Sequence, residues 1–574
     1  MQRKMKKFKL YIIRNVVVAL SAMALFSACS LEDDMQSNYQ TKTYYKSYSQ
    51  CITGLNGCYA PFRSIYNGTF MLAVESVSDI MYCNSGTYDA ILDISPANPR
   101  FGKTMWTQGY RGVMRCNNVI AAIERAYADG YIKEEEYNAL KAEGAALRGM
   151  YYYLLTSFFG DVPFYTCPVE TMEDQDRIAK IHRMSAIETR AYIVDELLDL
   201  LVKPGVKQER TYDSASSEDY RMGAAFGWMV CAKLAMWNGS KDSTSDTIWW
   251  DKALTAIGHL EDIYGDLNQY PISDIRFYNK YTRESIFEIA NLYDEDGLKV
   301  YGNVACFFMP WRTAQPDDQV KEGESAETWY GGLVIDLIGD NARTYTAFRP
   351  NRYFYEQLQL YTDYDKLDEN SAEFINGVFD HRSKINMAWG YNTYNDNGEK
   401  EWQFFWTRDD KTDNARQNRF TSQTRPWMGD KFWCPNMQST ADGNNYKVFR
   451  YAGALIMAAE CHLKKGDRTK AVEYLNRVRS RAGLGDLNPA NFKSSAALMD
   501  EIQKEHGREL IGEFQRKFEL VRWGIWFEQV YNCNDLDKLK NLMLPCHEYY
   551  PIPDKEVALS GGALTNEAYE KYNM

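Results

Sequence analysis

The sequence predicts a mainly α-helical protein: a tetratricopeptide-like scaffold of helix pairs carrying one large, irregular, loop-rich insertion. Three observations predict it. The first is residues 447–484, which read as two helices joined by a tight turn. Ala452, Leu455, Ile456, Ala459 and Leu463 form one stripe at the 3.6-residue period, and Ala471, Leu475, Val478 and Ala482 form another. Gly466 ends the first helix, Asp467 caps the second, and Ala458, Ala459 and Ala471 let the two backbones approach. The second observation is a faint echo upstream. Trp228, Cys231, Ala232 and Ala235 repeat the spacing of Leu455, Ala458, Ala459 and His462, while Ala253, Ile257 and Leu260 repeat that of Ala471, Leu475 and Val478. One hairpin cannot bury its own apolar face, so stacked hairpins are expected. The third is a change of character. From 265 to 449 the chain is rich in Tyr, Trp, Asn, Asp and Gly and poor in helical stripes. Such a stretch is either functional or disordered, and its aromatic content argues against disorder.

In chain order, residues 1–28 read as a signal segment. Arg3, Lys4, Lys6, Lys7, Lys9 and Arg14 precede a short apolar run at 16–26, and Phe26-Ser27-Ala28-Cys29 follows. The run is too short for a stop-transfer helix. The last four residues resemble a bacterial lipobox, with lipidation expected on Cys29; an ordinary cleaved signal peptide is the alternative. Residues 29–42 read as a lipidated N-terminus and tether, with an acidic start at Glu32-Asp33-Asp34. Residues 43–264 form the N-terminal helical-repeat part. Helices are expected at 43–67, 106–128, 134–159, 185–202, 221–237 and 249–264, with Asp129-Gly130, Gly160-Asp161-Val162-Pro163 and Pro204-Gly205 as stops. Residues 265–449 are the irregular part, with a strand at 285–291 and a helix at 331–338. Residues 450–574 are the C-terminal helical part. It adds helices at 494–510 and 514–529 and an extended Tyr549-Tyr550-Pro551-Ile552-Pro553. Residues 43–574 are expected to form one unit.

Composition excludes some functions. The 574 residues carry a formal net charge of −12, and removing the basic leader makes it more negative, which is the wrong sign for a nucleic-acid surface. Twelve Cys and six His form no C-x-x-C pair and no zinc spacing, so no metal and no cofactor is expected. The cysteines read as small buried apolar residues rather than a disulfide framework. No G-x-S-x-G, H-E-x-x-H or phosphate-loop motif occurs, so no catalytic residue is assigned. Asp317-Asp318 and Asp294-Glu295-Asp296 offer oxygen ligands for calcium, but read as exposed acidic loops.

Several segments together resemble the SusD/RagB family of outer-membrane nutrient-binding lipoproteins of Bacteroidetes. They are the lipobox; MLAVESVSDIMY at 71–82; WTQGYRGVMRCNNVI at 106–120; EGAALRGMYYYLLTSFFGDVPF at 143–164; the 221–239 helix; Asp380-His381-Arg382; KVFRYAGALIMAAE at 447–460; AVEYLNRVRSRAG at 471–483; RKFELVRWG at 516–524; and YYPIP. Their order along the chain makes the set specific. Two stretches depart from the family pattern: 505–509, where His506 replaces an Arg, and 565–569. The resemblance implies about four tetratricopeptide-like helix pairs beside an irregular binding region, and no enzymatic activity. It also implies capture of an oligosaccharide, or of peptide in RagB-like members, for a SusC-like TonB-dependent transporter. A surface glycosidase and a protein-binding scaffold are the alternatives from other classes.

A sugar presents C–H faces and a hydroxyl rim, so its binder needs flat aromatic rings beside polar groups. The candidates are Tyr82 and Tyr88, then Tyr301 and Asn303, then Trp311, Arg312, Trp329 and Tyr330. Trp389, Tyr391, Trp402, Trp406, Trp427 and Trp433 are further ones, and core packing is the competing role for each. Glu75, Glu143 and Glu460 read as structural acids tied to Arg148 or Arg450.

Overall fold

A computed structural model describes residues 44–83, 94–210, 221–244, 247–291, 301–309, 344–345, 347–358, 380–388, 390–394, 400–404, 427–434, 437 and 440–573. The leader, Cys29, the 331–338 helix and both acidic calcium candidates lie outside them.

Helices α1 (Tyr48–Ile65) and α2 (Gly68–Val74) lead to strand β1 (Met81–Cys83). Ser47 and Asn67 cap the two helices, their side-chain oxygens accepting free amides of the first turn. The long pair α3 (Phe101–Ala128) and α4 (Glu134–Phe159) follows. Acidic Glu134, Glu135 and Glu136 open α4, where the helix dipole favours negative charge. These two helices pack closely because a side chain at Gly112 would fall inside the Tyr151 ring. That ring cannot move aside: it stacks on Phe62 at 4.2 Å, and its hydroxyl donates to the Cys58 carbonyl at 2.6 Å.

Next come α5 (Ala186–Leu200), α6 (Ala224–Lys241) and α7 (Ile248–Tyr264), packed successively, with α4 against both α5 and α6. Beyond Gly265 no described helix or strand up to Phe449 exceeds six residues. Strand β2 (Ser285–Ile289), helix α8 (Ala305–Phe308) and strand β3 (Phe348–Pro350) fall here. Strand β4 (Tyr446–Arg450) then runs directly into α9 (Tyr451–Lys464) and α10 (Arg468–Arg481). The turn forms as expected, with Asp467 accepting the Lys470 amide at 2.9 Å. Across the whole insertion α9 lies on α7, so the stack of helices is continuous although the chain is not. Helix α11 (Ser495–Leu510) packs on α9. The single helix expected at 514–529 is two, α12 (Arg516–Trp523) and α13 (Trp526–Cys533); Gly524 breaks it in the left-handed region at φ 75°.

The described strands form antiparallel pairs, not a larger sheet. β1 pairs with β3, Tyr82 opposite Arg349; β2 pairs with β4, Phe287 opposite Phe449. The aromatic residues gather where the β2–β4 pair meets the helices. Phe287 lies against Phe62 and Phe226, and Phe514 against Tyr66 and Phe70. Trp228, Trp237 and Trp526 are fully buried. Most of the eleven described cysteines are buried, in keeping with their reading as small apolar residues. No helix among the described residues is long and apolar enough to cross a membrane.

Candidate functional site

The irregular part is fastened to the helices by buried charge. Arg450, at the β4–α9 junction, donates to Glu284 at 2.8 Å, to Glu509 at 2.8 Å and to Glu513 at 2.8 Å. Arg382, from the insertion, holds Asp380 at 2.7 Å, Glu505 at 2.7 Å and Glu509 at 2.9 Å. Lys431, also from the insertion, pairs with Glu513 at 2.7 Å. Arg481 reaches Glu284 at 2.6 Å and also Glu509. Burial alone would raise the Glu509 carboxyl, but Arg481, Arg450 and Arg382 outweigh it and hold it well below the ordinary carboxylate range. Ion pairs at such depth fix geometry more than they add stability, since desolvation consumes most of their attraction.

The structural acids do their work with other partners than those expected. Glu75 accepts the amides of Gly512, Gln515 and Arg516, capping α12 from a distant segment, while Asp79 takes Arg516 through both carboxylate oxygens at 2.7 and 2.8 Å. Glu143 pairs with Arg221, and Glu460 with Arg522 at 2.6 Å. Arg148 goes instead to Glu196 and Asn117, and Arg450 to the network above.

On this frame sits a collar. It is built from Gly302, Asn303, helix α8, Tyr345, strand β3 and Asp442. Gly302 and Asp442 exchange both backbone hydrogen bonds, at 2.8 and 3.1 Å. Any side chain at Gly302 would collide with the Tyr446 hydroxyl, so this contact requires glycine. The Asp442 carboxylate accepts the amides of Val304 and Ala305 at 2.8 and 2.9 Å, which opens α8. Burial raises it to about 6 despite those amides. Asn303 accepts the Gly68 amide at 2.9 Å and ties α8 to the start of α2. Phe308 stacks on Phe348 at 4.7 Å and Phe432 at 4.1 Å, and the Tyr345 amide donates to the Cys306 carbonyl at 2.7 Å.

Of the eight candidate ligand contacts, Tyr88, Trp311, Arg312, Trp329 and Tyr330 lie outside the described residues. Tyr301 is half exposed, at 51%, on the rigid Gly302 turn, and Asn303 lies beside it. Tyr82 is a correction. It is 2% exposed, in a strand whose three residues are all buried, and it offers no open face to a ligand. Among the further candidates, Trp433 is core, its indole N–H donating to the Met428 carbonyl at 3.2 Å, and Trp427 packs partly against the core. Tyr391 and Trp402 sit on facing strands Gly390–Tyr394 and Lys400–Phe404; Trp389 and Trp406 lie outside the described residues. Sequence reasoning missed Tyr345. It is 42% exposed and its ring lies 5.8 Å from Phe307, on the same anchor as Tyr301. No local pattern marks it, because its exposure follows from how α8 meets β3. Rigid backbone with projecting tyrosines suits the face of a ring-shaped, hydroxyl-rimmed ligand.

The sequence profile of the SusD family matches residues 278–569, just over half of the chain. The chain belongs to the SusD family. A second profile, described as starch-binding and associating with the outer membrane, matches residues 31–198. A SusD-like protein of Formosa agariphila is 23% identical over 97% of this chain and 98% of its own length. A SusD homolog from Bacteroides thetaiotaomicron superposes with a TM-score of 0.68 at 17% identity, over 92% of this chain and 98% of that one. Surface glycan-binding protein A from the same organism, solved with laminarihexaose, gives 0.60 at 18%, over 91% and 99%. The two structural likenesses establish the SusD fold, in which the helix pairs expected from the sequence are the scaffold.

Proposed function

We propose that this SusD-family protein is a lipid-anchored, surface-exposed receptor of the outer membrane that captures oligosaccharide and delivers it to a SusC-like TonB-dependent transporter. The role is capture without bond cleavage. The observation that carries it is the collar, where Tyr301 and Tyr345 project from backbone locked by Gly302, Asp442 and Asn303. A profile described as starch-binding and a structural neighbour solved with a glucan hexasaccharide support the ligand class. In this reading residues 265–449 grip and the helical parts hold; Trp311 or Trp329 adds a stacking ring, with Tyr88, Arg312 and Tyr330 around it.

Calorimetric titration of residues 30–574 with a panel of hexasaccharides, laminarihexaose among them, tests the reading. A binding glycan is expected to lose about 1–3 kcal/mol of affinity, roughly 5- to 150-fold, when Tyr301→Ala removes one stack. Tyr345→Ala and the pair Trp311→Ala with Trp329→Ala are expected to fall in the same range. Binding that survives every one of these changes, or a protein that binds peptides and no glycan, ends the proposal. For the anchor, Cys29→Ala is expected to shift the protein from the membrane fraction to the soluble one. A variant that still sediments with membranes and still carries acyl chains would remove Cys29 as the anchoring residue.

A further inference from the structure

Arginine keeps its charge at any ordinary pH, so a buried guanidinium needs an anion. The buried Arg382, Arg450, Arg508, Arg516 and Arg522 each have one or more carboxylates. Arg190, on α5, differs from these five. It is 1% exposed and makes no ion pair with any described residue. Its Nε donates to the Thr156 hydroxyl and one terminal nitrogen, Nη2, to the Thr156 carbonyl, both at 3.1 Å, and the guanidinium carbon lies over Trp237, 4.4 Å from the ring centroid. The other terminal nitrogen, Nη1, has no such bond. Burial lowers the group to about 10, and Tyr549, Asp161 and Tyr153 nearby offset only part of that effect.

Arg190 lines a cavity of 460 Å³ between the end of α4, the start of α5 and the closing segment 545–569. That is within the size range of small-ligand sites. Two more cations line it. Arg183 donates to the carbonyls of Asp161 and Thr565, and Lys241 to that of Val521, so neither is neutralised by a carboxylate. The start of α5 faces the same space. Asp161 takes the Ala186 amide and Ser185 the Glu188 amide, leaving the Ile187 amide between them without an acceptor among the described residues, while its carbonyl accepts from Asn238. Tyr549 and Tyr550 supply flat walls. Three carboxylates also line the cavity: Asp161 takes the Ala186 amide, Glu567 takes the Thr565 hydroxyl, and neither they nor Glu548 lies within ion-pair distance of Arg190.

We propose that this cavity binds a small oxyanion group, carboxylate or sulfate, with Arg190 Nη1 and the Ile187 amide as donors and Arg183 and Lys241 supplying field. The cavity shares no residue with the collar, so the assignment stands or falls separately from the glycan reading. The group arrives either as a free ion or on an acidic sugar.

The test is a thermal-shift and calorimetric titration of residues 30–574 with sodium sulfate, sodium D-glucuronate and neutral glucose, chloride holding ionic strength constant. Sulfate and glucuronate are expected to raise Tm saturably, and glucose to leave it unchanged. Arg190→Met is expected to weaken the response about 10- to 100-fold. Lys241→Met, at the exposed edge, is expected to weaken it about two- to fivefold and serves if Arg190→Met does not fold. Tighter binding of glucuronate assigns the group to a sugar, and tighter binding of sulfate to a free ion. No saturable response, or the same response in wild type and in whichever of these variants fold, overturns the proposal.

Discussion

Arg450→Met is expected to destabilise the protein by about 3–5 kcal/mol, read as a fall in the urea midpoint. The side chain is 0% exposed, and its five donors go to Glu284, Glu509 and Glu513. Methionine fills much of the space but leaves those carboxylates short of a cation in a place water does not reach. Loss of packing alone would cost far less, because the swap is nearly volume-conserving. Arg450→Lys keeps the charge but cannot donate to three carboxylates in a fixed fork, so it is expected to fall between wild type and Arg450→Met. A methionine variant within about 1 kcal/mol of wild type would mean that the network is self-sufficient without its centre.

Stability is expected to be nearly flat from pH 7 to about 5 and to collapse between about 4.5 and 3. Below about pH 4.5 the unfolded chain binds protons on its glutamates. In the fold, burial would raise Glu284, Glu288, Glu505, Glu509 and Glu519, but neighbouring Arg and Lys groups outweigh it and hold all five below the ordinary range. The unfolded state therefore binds more protons, and acid favours it by about 1.4 kcal/mol for each unit of each depression. Above that window two effects oppose. Burial lowers His506, and lowers His547 to about 4, so below pH 6.5 acid favours the unfolded chain. Burial also raises Glu75 to about 7 and Asp442 to about 6, so over nearly the same interval the fold takes up protons first. Urea midpoints measured every half unit from pH 7 to 3 check both parts; a midpoint at pH 3 equal to that at pH 7 would refute the account.

The scaffold was legible because a packed helix pair writes its period into the chain. The Ala452–Leu463 and Ala471–Ala482 stripes are buried, and the Gly466-Asp467 turn lies where those residues require. Gly524 was readable too, but the apolar spacing continued across it and hid the break. The site was harder to read. Tyr82 sits in an apolar run, but that all of β1 is covered depends on distant segments, β3 among them, that the run itself does not name. Tyr345 carries no local pattern at all. The identities of the buried acids were clear, but their partners were not, since Glu75 and Asp79 meet Arg516 only after the chain has closed on itself.

Helix α9 lies on α7 with all of 265–449 looped out between them. An emerging polypeptide must therefore wait with the α7 end of its stack uncovered until Tyr451–Lys464, in the last quarter of the chain, has been delivered. Closure over so long a loop is slow, and an apolar helix face left open that long invites aggregation. Newly made chains thus pass through an aggregation-prone stage, and α6 and α7 should be the last helices to gain hydrogen-exchange protection on refolding.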